Sequence, residues 1–332
     1  MTKIKKELIF IYTENARIKI KELAKLFKES SQRIKYSLNV FEKERVIYNP
    51  YCIFDYSYFG LILFRVYFKG AYISEKDKSE IIKKLYENEY VVSIYELSGE
   101  FDLVVEIQSP NPSRFNKVLK NLSTTIPTLS NYKIILNLVT HMYPHLYLTN
   151  EDYLHSQVPS QIIIGGDRSI ENFSSNEMTV TNNLLNNPKM WIKTLAKQSN
   201  LHTKTVKSVL QNLNEKKVIK GFKYVIDNNK LNIYKFRLFL KLHNLIKDRE
   251  KDLMEYMLKK KEIVQAHKTV GDWDLEIDIE SPDKILIRKL TIEIRESFKD
   301  IIETFNIMEF YQYYKKSYLP SYLFNPIQST NP

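Results

Sequence analysis

Ser98-Gly99-Glu100-Phe101-Asp102-Leu103 returns 172 residues later as Val270-Gly271-Asp272-Trp273-Asp274-Leu275. At the same offset Phe64-Arg65 answers Phe236-Arg237, and Val46-Ile47 answers Val218-Ile219. Further upstream, Ile20-Lys21-x-Leu23-Ala24-Lys25 answers Ile192-Lys193-x-Leu195-Ala196-Lys197; downstream, Ser109-Pro110 answers Ser281-Pro282. No insertion interrupts the match of 18–110 with 190–282. One unit of about 150 residues is therefore used twice, a period too long for a solenoid and suited to a two-domain module.

Each copy opens with helical periodicity. In the first, Ile4, Leu8, Ile11 and Tyr12 fall at helical spacing, then Ile20, Leu23, Ala24 and Phe27 line one face. Ser30 or Ser31 is an N-cap for a third helix that turns Ile34, Leu38 and Phe41 inward. Val46–Phe54 reads as a hairpin wing. The second copy repeats the series with Leu184-Leu185, Ile192–Ala196 and Thr203–Lys216. Behind each head the rhythm changes to βαββαβ: Leu61–Lys69, Asp77–Asn88, Val91–Ser98, Phe101–Gln108, Pro112–Leu122 and Tyr132–Tyr143 in the first copy. The expected fold is α+β: two winged helix-turn-helix domains, at 1–58 and 177–230, alternating with two ferredoxin-like domains, at 59–148 and 231–322. Residues 149–176, with Pro159, Gly165-Gly166 and Ser174-Ser175, read as a linker in which Gln161–Ile164 packs locally.

The charge is concentrated. The chain of 332 residues has a net charge of +11. Residues 1–50 hold 12 Lys/Arg against 6 Glu, and residues 186–223 hold 9 Lys against Glu215 alone. Basic segments at equivalent places of a repeat point to a polyanion partner; a merely solvated lysine-rich surface is the plainer reading. The single Cys52 excludes a disulfide framework and suits a reducing cytoplasm. No apolar run approaches bilayer length. His141-x-x-x-His145, the one metal-spaced histidine pair, has no acidic or thiol partner nearby, and no nucleophile triad or phosphate loop stands out.

With Leu23-Ala24 before a turn, Val46-Ile47 after the third helix and the Gly-acidic-aromatic-Asp turns, the chain resembles the Lrp/AsnC feast/famine regulators, duplicated within one polypeptide. The resemblance implies a DNA-binding head and a RAM domain that senses a small molecule, such as an amino acid, and self-associates. It implies a transcription regulator without catalysis. Two departures stand out. Ser37 and Val209 occupy third-helix positions where the family usually has Arg. Arg45 and Lys217 stand where it usually has the glycine that stops that helix in a left-handed conformation, so the stop must be made otherwise.

A third helix in a major groove presents its outward N-terminal half to the bases. Here that face is Ser31, Gln32, Arg33, Lys35 and Tyr36 in the first copy, and His202, Thr203, Lys204, Thr205, Lys207 and Ser208 in the second. Gln and Arg can contact A and G bidentately, while Ser, Thr and Lys mostly engage phosphates. The expected partner is double-stranded DNA, read through two non-identical half-sites, with self-association through the RAM-like domains.

Gly99, Glu100, Phe101 and Asp102, with Gly271, Asp272, Trp273 and Asp274, carry two readings. As structure, Gly makes the turn, the ring packs and Asp bonds backbone amides. As function, the resemblance places an effector near this turn, where acidic and aromatic groups could receive an ammonium and a side chain. Arg65 and Arg237 read as flanking a packed face or pairing with a nearby carboxylate. Two other functions stay open. Siroheme decarboxylases are similar in domain make-up, but their histidine-bearing windows correspond to Asp55–Phe68 and Asp227–Leu240, which contain no histidine. A non-specific architectural DNA-binding protein would share the folds without an effector.

Overall fold

In a computed structural model, which describes residues 3–243 and 247–325, both copies fold as a helical head on a β-rich base. The first head comprises α1 (Lys3–Glu14), α2 (Ile20–Phe27) and α3 (Ser31–Lys43), followed by β1 (Ile47–Phe54). Ser30 is the N-cap of α3, its hydroxyl accepting from the Arg33 amide. Leu23, Ile34, Leu38 and Phe41 are buried as their spacing requires. The helix stop that lacks glycine is still left-handed. Arg45 itself adopts φ 54°. Its amide donates to the Glu42 carbonyl at 3.0 Å and the Val46 amide to the Phe41 carbonyl at 2.8 Å, a Schellman ending.

The first base runs β2 (Ile62–Phe68), α4 (Glu75–Glu87), β3 (Val91–Ser98), β4 (Leu103–Ser109), α5 (Pro112–Thr125) and β5 (Tyr132–Met142). After α6 (Asp152–His155) and β6 (Ile162–Gly165), the second head follows as α7 (Ser175–Asn186), α8 (Ile192–Gln198), α9 (Thr203–Glu215) and β7 (Ile219–Ile226). Lys217, at φ 58°, ends α9 as Arg45 ends α3. The second base is β8 (Tyr234–Leu242), α10 (Lys247–Lys259), β9 (Ile263–Val270), β10 (Leu275–Ser281), α11 (Lys284–Ser297) and β11 (Ile302–Lys316). None of the described helices is long and apolar enough to cross a membrane.

The expected hairpin wings do not form. Val46–Phe54 supplies one strand, β1, which pairs antiparallel with β7 of the other copy, from Ile47 opposite Ile226 to Phe54 opposite Ile219. One inter-copy ribbon replaces two separate wings, because each copy has a single strand there and its backbone groups need a partner. Residues 149–176 are also more than a connection. β6 pairs with β5, Phe173 stacks on Phe59 at 4.3 Å, and Glu171 meets Lys216 at 2.7 Å.

Within each base the strand order is that of a ferredoxin-like sheet, β5-β2-β4-β3 and β11-β8-β10-β9. The two sheets join at both edges, β3 to β11 and β9 to β5, so the eight strands close into a ring with no free edge between copies. Outward residues such as Phe64, Val66, Leu103 and Val105 pack under α4 and α5. Inward residues divide the ring's interior. One end is aromatic, with Tyr67, Tyr95, Phe101, Phe239 and Trp273; the other is charged.

Candidate nucleic-acid interface and the cleft behind it

The outward faces of α3 and α9 are open. Ser31, Gln32, Arg33, Lys35 and Tyr36 are exposed, Tyr36 to 71%. His202, Thr203, Lys204, Lys207 and Ser208 are exposed and Thr205 is half-buried. Arg33 is tied to Glu29 at 2.7 Å, whereas Lys35, Lys204 and Lys207 have no ion-pair partner among the described residues. Val209 is buried against the second head's core. Trp191, 82% exposed at the start of α8, adds an aromatic surface that helical periodicity could not single out, since it precedes the helix.

The heads are locked to one another. Arg17, in the turn after α1, donates to the Pro188 and Met190 carbonyls of the second head at 3.1 and 3.0 Å and lies over the Phe222 ring. Lys189 reaches the other way, to Glu42 on α3 at 2.8 Å and the Tyr12 hydroxyl at 3.1 Å. Glu42 also accepts from Tyr224 of the ribbon at 2.7 Å. The two third helices are thus held in one fixed relation.

Under the ribbon, where it faces the charged end of the ring, lies a cleft of about 70 Å³ that opens to solvent. Tyr48, Tyr51, Tyr143 and Tyr313 wall it, and His145, Lys223, Lys235, Glu280 and Lys316 bring charge to it. A second chamber of about 20 Å³, room for a water, continues through Gln265 and Lys316 into the ring, bounded by Arg65, Glu106, Gln108, Thr140 and His267.

An ionic chain threads this region. Glu14, at the end of α1, accepts from Lys223 of the ribbon at 2.5 Å and from His145 beyond β5 at 2.5 Å. Burial alone would raise its pKa, but Lys223 and His145 outweigh that and bring it down to about 2. Lys235 meets Glu280 at 2.9 Å; Arg237 grips Asp278 at 2.6 Å; Arg65 joins Glu106 at 2.8 Å to Glu276 of the other sheet at 2.6 Å. Arg65 and Arg237, expected to pair with carboxylates, do so inside the ring. Removing one partner of such a pair would leave a buried charge uncompensated, so Arg65 and Glu276 tie the two sheets together and losing either is costly.

The glycine turns meet at the aromatic end. Gly99 and Gly271 adopt φ 140° and 149°, and the rings of Phe101 and Trp273, both buried, sit edge to face at 6.1 Å. Asp102 accepts from the Ala71 amide at 3.3 Å and Asp274 from the Leu242 amide at 2.8 Å. Lys133 lies over both rings, 2.9 Å from Asp272 and 3.5 Å from Glu100. These side chains are committed to closing the ring. The two turns, distant in sequence, are brought together, while the ribbon cleft and the ring chamber open at the opposite end. The first-strand windows lack histidine, yet the fold delivers His145 and His267 to those clefts from elsewhere. Among the described residues no group of three or more His, Cys, Asp or Glu is placed to hold a metal.

No family model matches the sequence. The transcriptional regulator FL11 of Pyrococcus furiosus, of the helix-turn-helix type, is 28% identical over 123 residues, which are 35% of this chain and 76% of that protein. Among solved structures the siroheme decarboxylase NirDL is similar over 96% of this chain and 94% of that one, with a TM-score of 0.57 and 12% identity. Its complex with an iron-uroporphyrin III analogue matches equally. At such identity the likeness concerns the fold. AsnC of E. coli covers 48% of this chain with 99% of its own length, at 15% identity and a TM-score of 0.36. In its duplicated motifs and its sequence likeness to FL11, this chain is similar to helix-turn-helix regulators of the Lrp/AsnC type.

Proposed function

We propose that the chain is a transcription regulator, and not an enzyme, that grips duplex DNA with two unlike helix-turn-helix heads fixed on one ring. The observation that carries this reading is the pair of open, lysine-bearing third-helix faces on heads clamped together by Arg17 and Lys189. Rigid linkage makes engagement of the second head intramolecular, so modest affinity per head suffices. Gln32 and Arg33 are suited to base edges, and Lys35, Lys204 and Lys207 to phosphates. The unlike faces favour unlike half-sites. Self-association within the chain would replace the dimer of a single-copy relative, and the cytoplasm is the fitting compartment.

Selection of bound duplexes, followed by titration at graded salt, tests the proposal. Log affinity should fall steeply with log salt. Lys204→Ala and Lys207→Ala should each lower that slope by about one, weakening all sequences alike. A flat salt response, or full binding by the double variant, refutes DNA contact through α9. Equal affinity for selected and scrambled duplexes would favour the architectural alternative.

Decarboxylation of a tetrapyrrole is the second reading, favoured by the NirDL-like fold and by the cationic cleft with His145 and Lys223 at its wall. His145 is engaged by Glu14 there. Titration with an iron tetrapyrrole, followed by absorbance, separates the two readings: a saturable spectral change supports the enzyme.

A further inference from the structure

Trp191 is the most exposed aromatic residue among those described, at 82%, and it is the N-cap of α8. It neither packs nor caps. Its indole has no ring, cation or hydrogen-bond partner among the described residues, and no side-chain bond closes the helix start. Ser, Thr, Asp or Asn would satisfy an amide there, so local structure does not account for a tryptophan. Single apolar residues on a surface are ordinary, and its place in the fold is what decides its role.

The three residues before it are held against the first head: Arg17 donates to the Pro188 and Met190 carbonyls, and Lys189 reaches Glu42 and Tyr12. Trp191 therefore stands at the junction of the two heads. After it, α8 leads through a turn into α9, whose outward face carries Lys204 and Lys207. In a helix-turn-helix the helix ahead of the recognition helix crosses the DNA backbone. The surroundings suit such a polyanion. Lys193 and Lys197 are exposed along α8, and no acidic residue occurs from 178 to 214. The repeat supplies a comparison: the counterpart of Trp191 is Lys19, whose side chain is 81% exposed. One head presents a cation at this position, the other a flat apolar ring with a single donor.

We propose that Trp191 is a DNA-backbone contact at the place where the duplex passes from one head to the other. Its indole face packs on a deoxyribose, and its Nε1–H donates to a phosphate oxygen. Lys19 meets the backbone beside the other head with charge instead. Sugars and phosphates are alike at every step, so this contact fixes register and reads no base. The inference rests on the DNA-binding reading above and adds to it an uncharged anchor, which salt does not screen.

The chain has two tryptophans, and Trp273 is buried in the ring, so acrylamide quenching of tryptophan emission in the full chain reports on Trp191. Selected duplex should shield it several-fold. Trp191→Ala should weaken binding of labelled duplex by about tenfold and leave the salt slope as in the wild type, because an indole displaces no counterion. Trp191→Lys, which copies Lys19, should recover part of the affinity and steepen that slope by about one. Thermal melting verifies that both variants fold, and the quenching needs no variant. If duplex fails to bind the wild type, the regulatory reading falls and this inference with it. If duplex binds while quenching stays unchanged, or if Trp191→Ala binds as tightly as the wild type, the inference alone is overturned and the ring serves another partner, such as a protein.

Discussion

Arg17 and Lys189 are the same position of the two copies, 172 residues apart, and each reaches across into the opposite head. The exchange is not symmetrical in its chemistry. Arg17 satisfies two backbone carbonyls and stacks on Phe222, while Lys189 pairs with Glu42 on α3 and lies over the Tyr12 and Tyr224 rings. Each residue has its own partners, so the heads are locked by two separate contacts.

Arg17→Ala should lower stability by about 1–3 kcal/mol, since two buried carbonyls lose a charged donor. Lys189 is a third exposed, and Lys189→Ala should lose less, about 0.5–1 kcal/mol. Urea denaturation measures both. Spin labels on Lys35 and Lys207 should report a single narrow distance in the wild type and a broad distribution in the double variant. A narrow distribution in the double variant would show that the ribbon alone fixes the heads.

Arg45 and Lys217 occupy left-handed backbone at φ 54° and 58°, where a Cβ is strained. Arg45→Gly and Lys217→Gly should each stabilise the chain by about 1 kcal/mol, because the Schellman bonds remain and the strain goes. If denaturation midpoints fall instead, the contact of Arg45 with the Tyr48 ring outweighs the backbone gain at that site.

Gly165, at φ 85°, sits where an added Cβ would come within 2.7 Å of the Leu138 carbonyl and 2.8 Å of the Tyr56 hydroxyl. Its amide also donates to Asp55 at 2.9 Å. Gly165→Ala should cost about 1–3 kcal/mol and detach β6 from β5, read as faster amide exchange at Ile163 and Ile164. Unchanged exchange would mean that the strand shifts to accommodate the methyl.

Glu14 supplies the pH dependence. Its carboxyl lies at about 2 in the folded chain against an ordinary 4.5, so it stabilises the fold fully above pH 4.5. That contribution, about 3 kcal/mol, is lost as pH falls from 4.5 through 2. Glu14→Gln should flatten the stability profile in this window and weaken the protein at neutral pH, where Lys223 loses its buried partner. A profile that keeps its full slope in the variant would assign the effect to other carboxylates, Asp278 foremost, whose pKa is also held at about 2.

Read residue by residue, the sequence was sufficient for each head and each base. The spacing of Ile34, Leu38 and Phe41 determined which side of α3 is buried, and hence that Ser31, Gln32, Arg33, Lys35 and Tyr36 face outward. Alternation along β2 placed Arg65 opposite Phe64 and Val66. These are local facts: a periodic pattern records which face avoids water, whatever covers it.

What covers each face was decided only in three dimensions. Val46–Phe54 carries the same strand pattern whether it folds back as a hairpin or pairs with β7, and only the ribbon shows which. The glycine turns read equally as effector sites or plugs until Phe101 and Trp273 are seen against each other. His267 and Gln108, separated by 159 positions, line one chamber solely because β3 joins β11 and β9 joins β5 to close the ring. Such pairings depend on contacts between chain segments far apart, whose free energy no local pattern encodes.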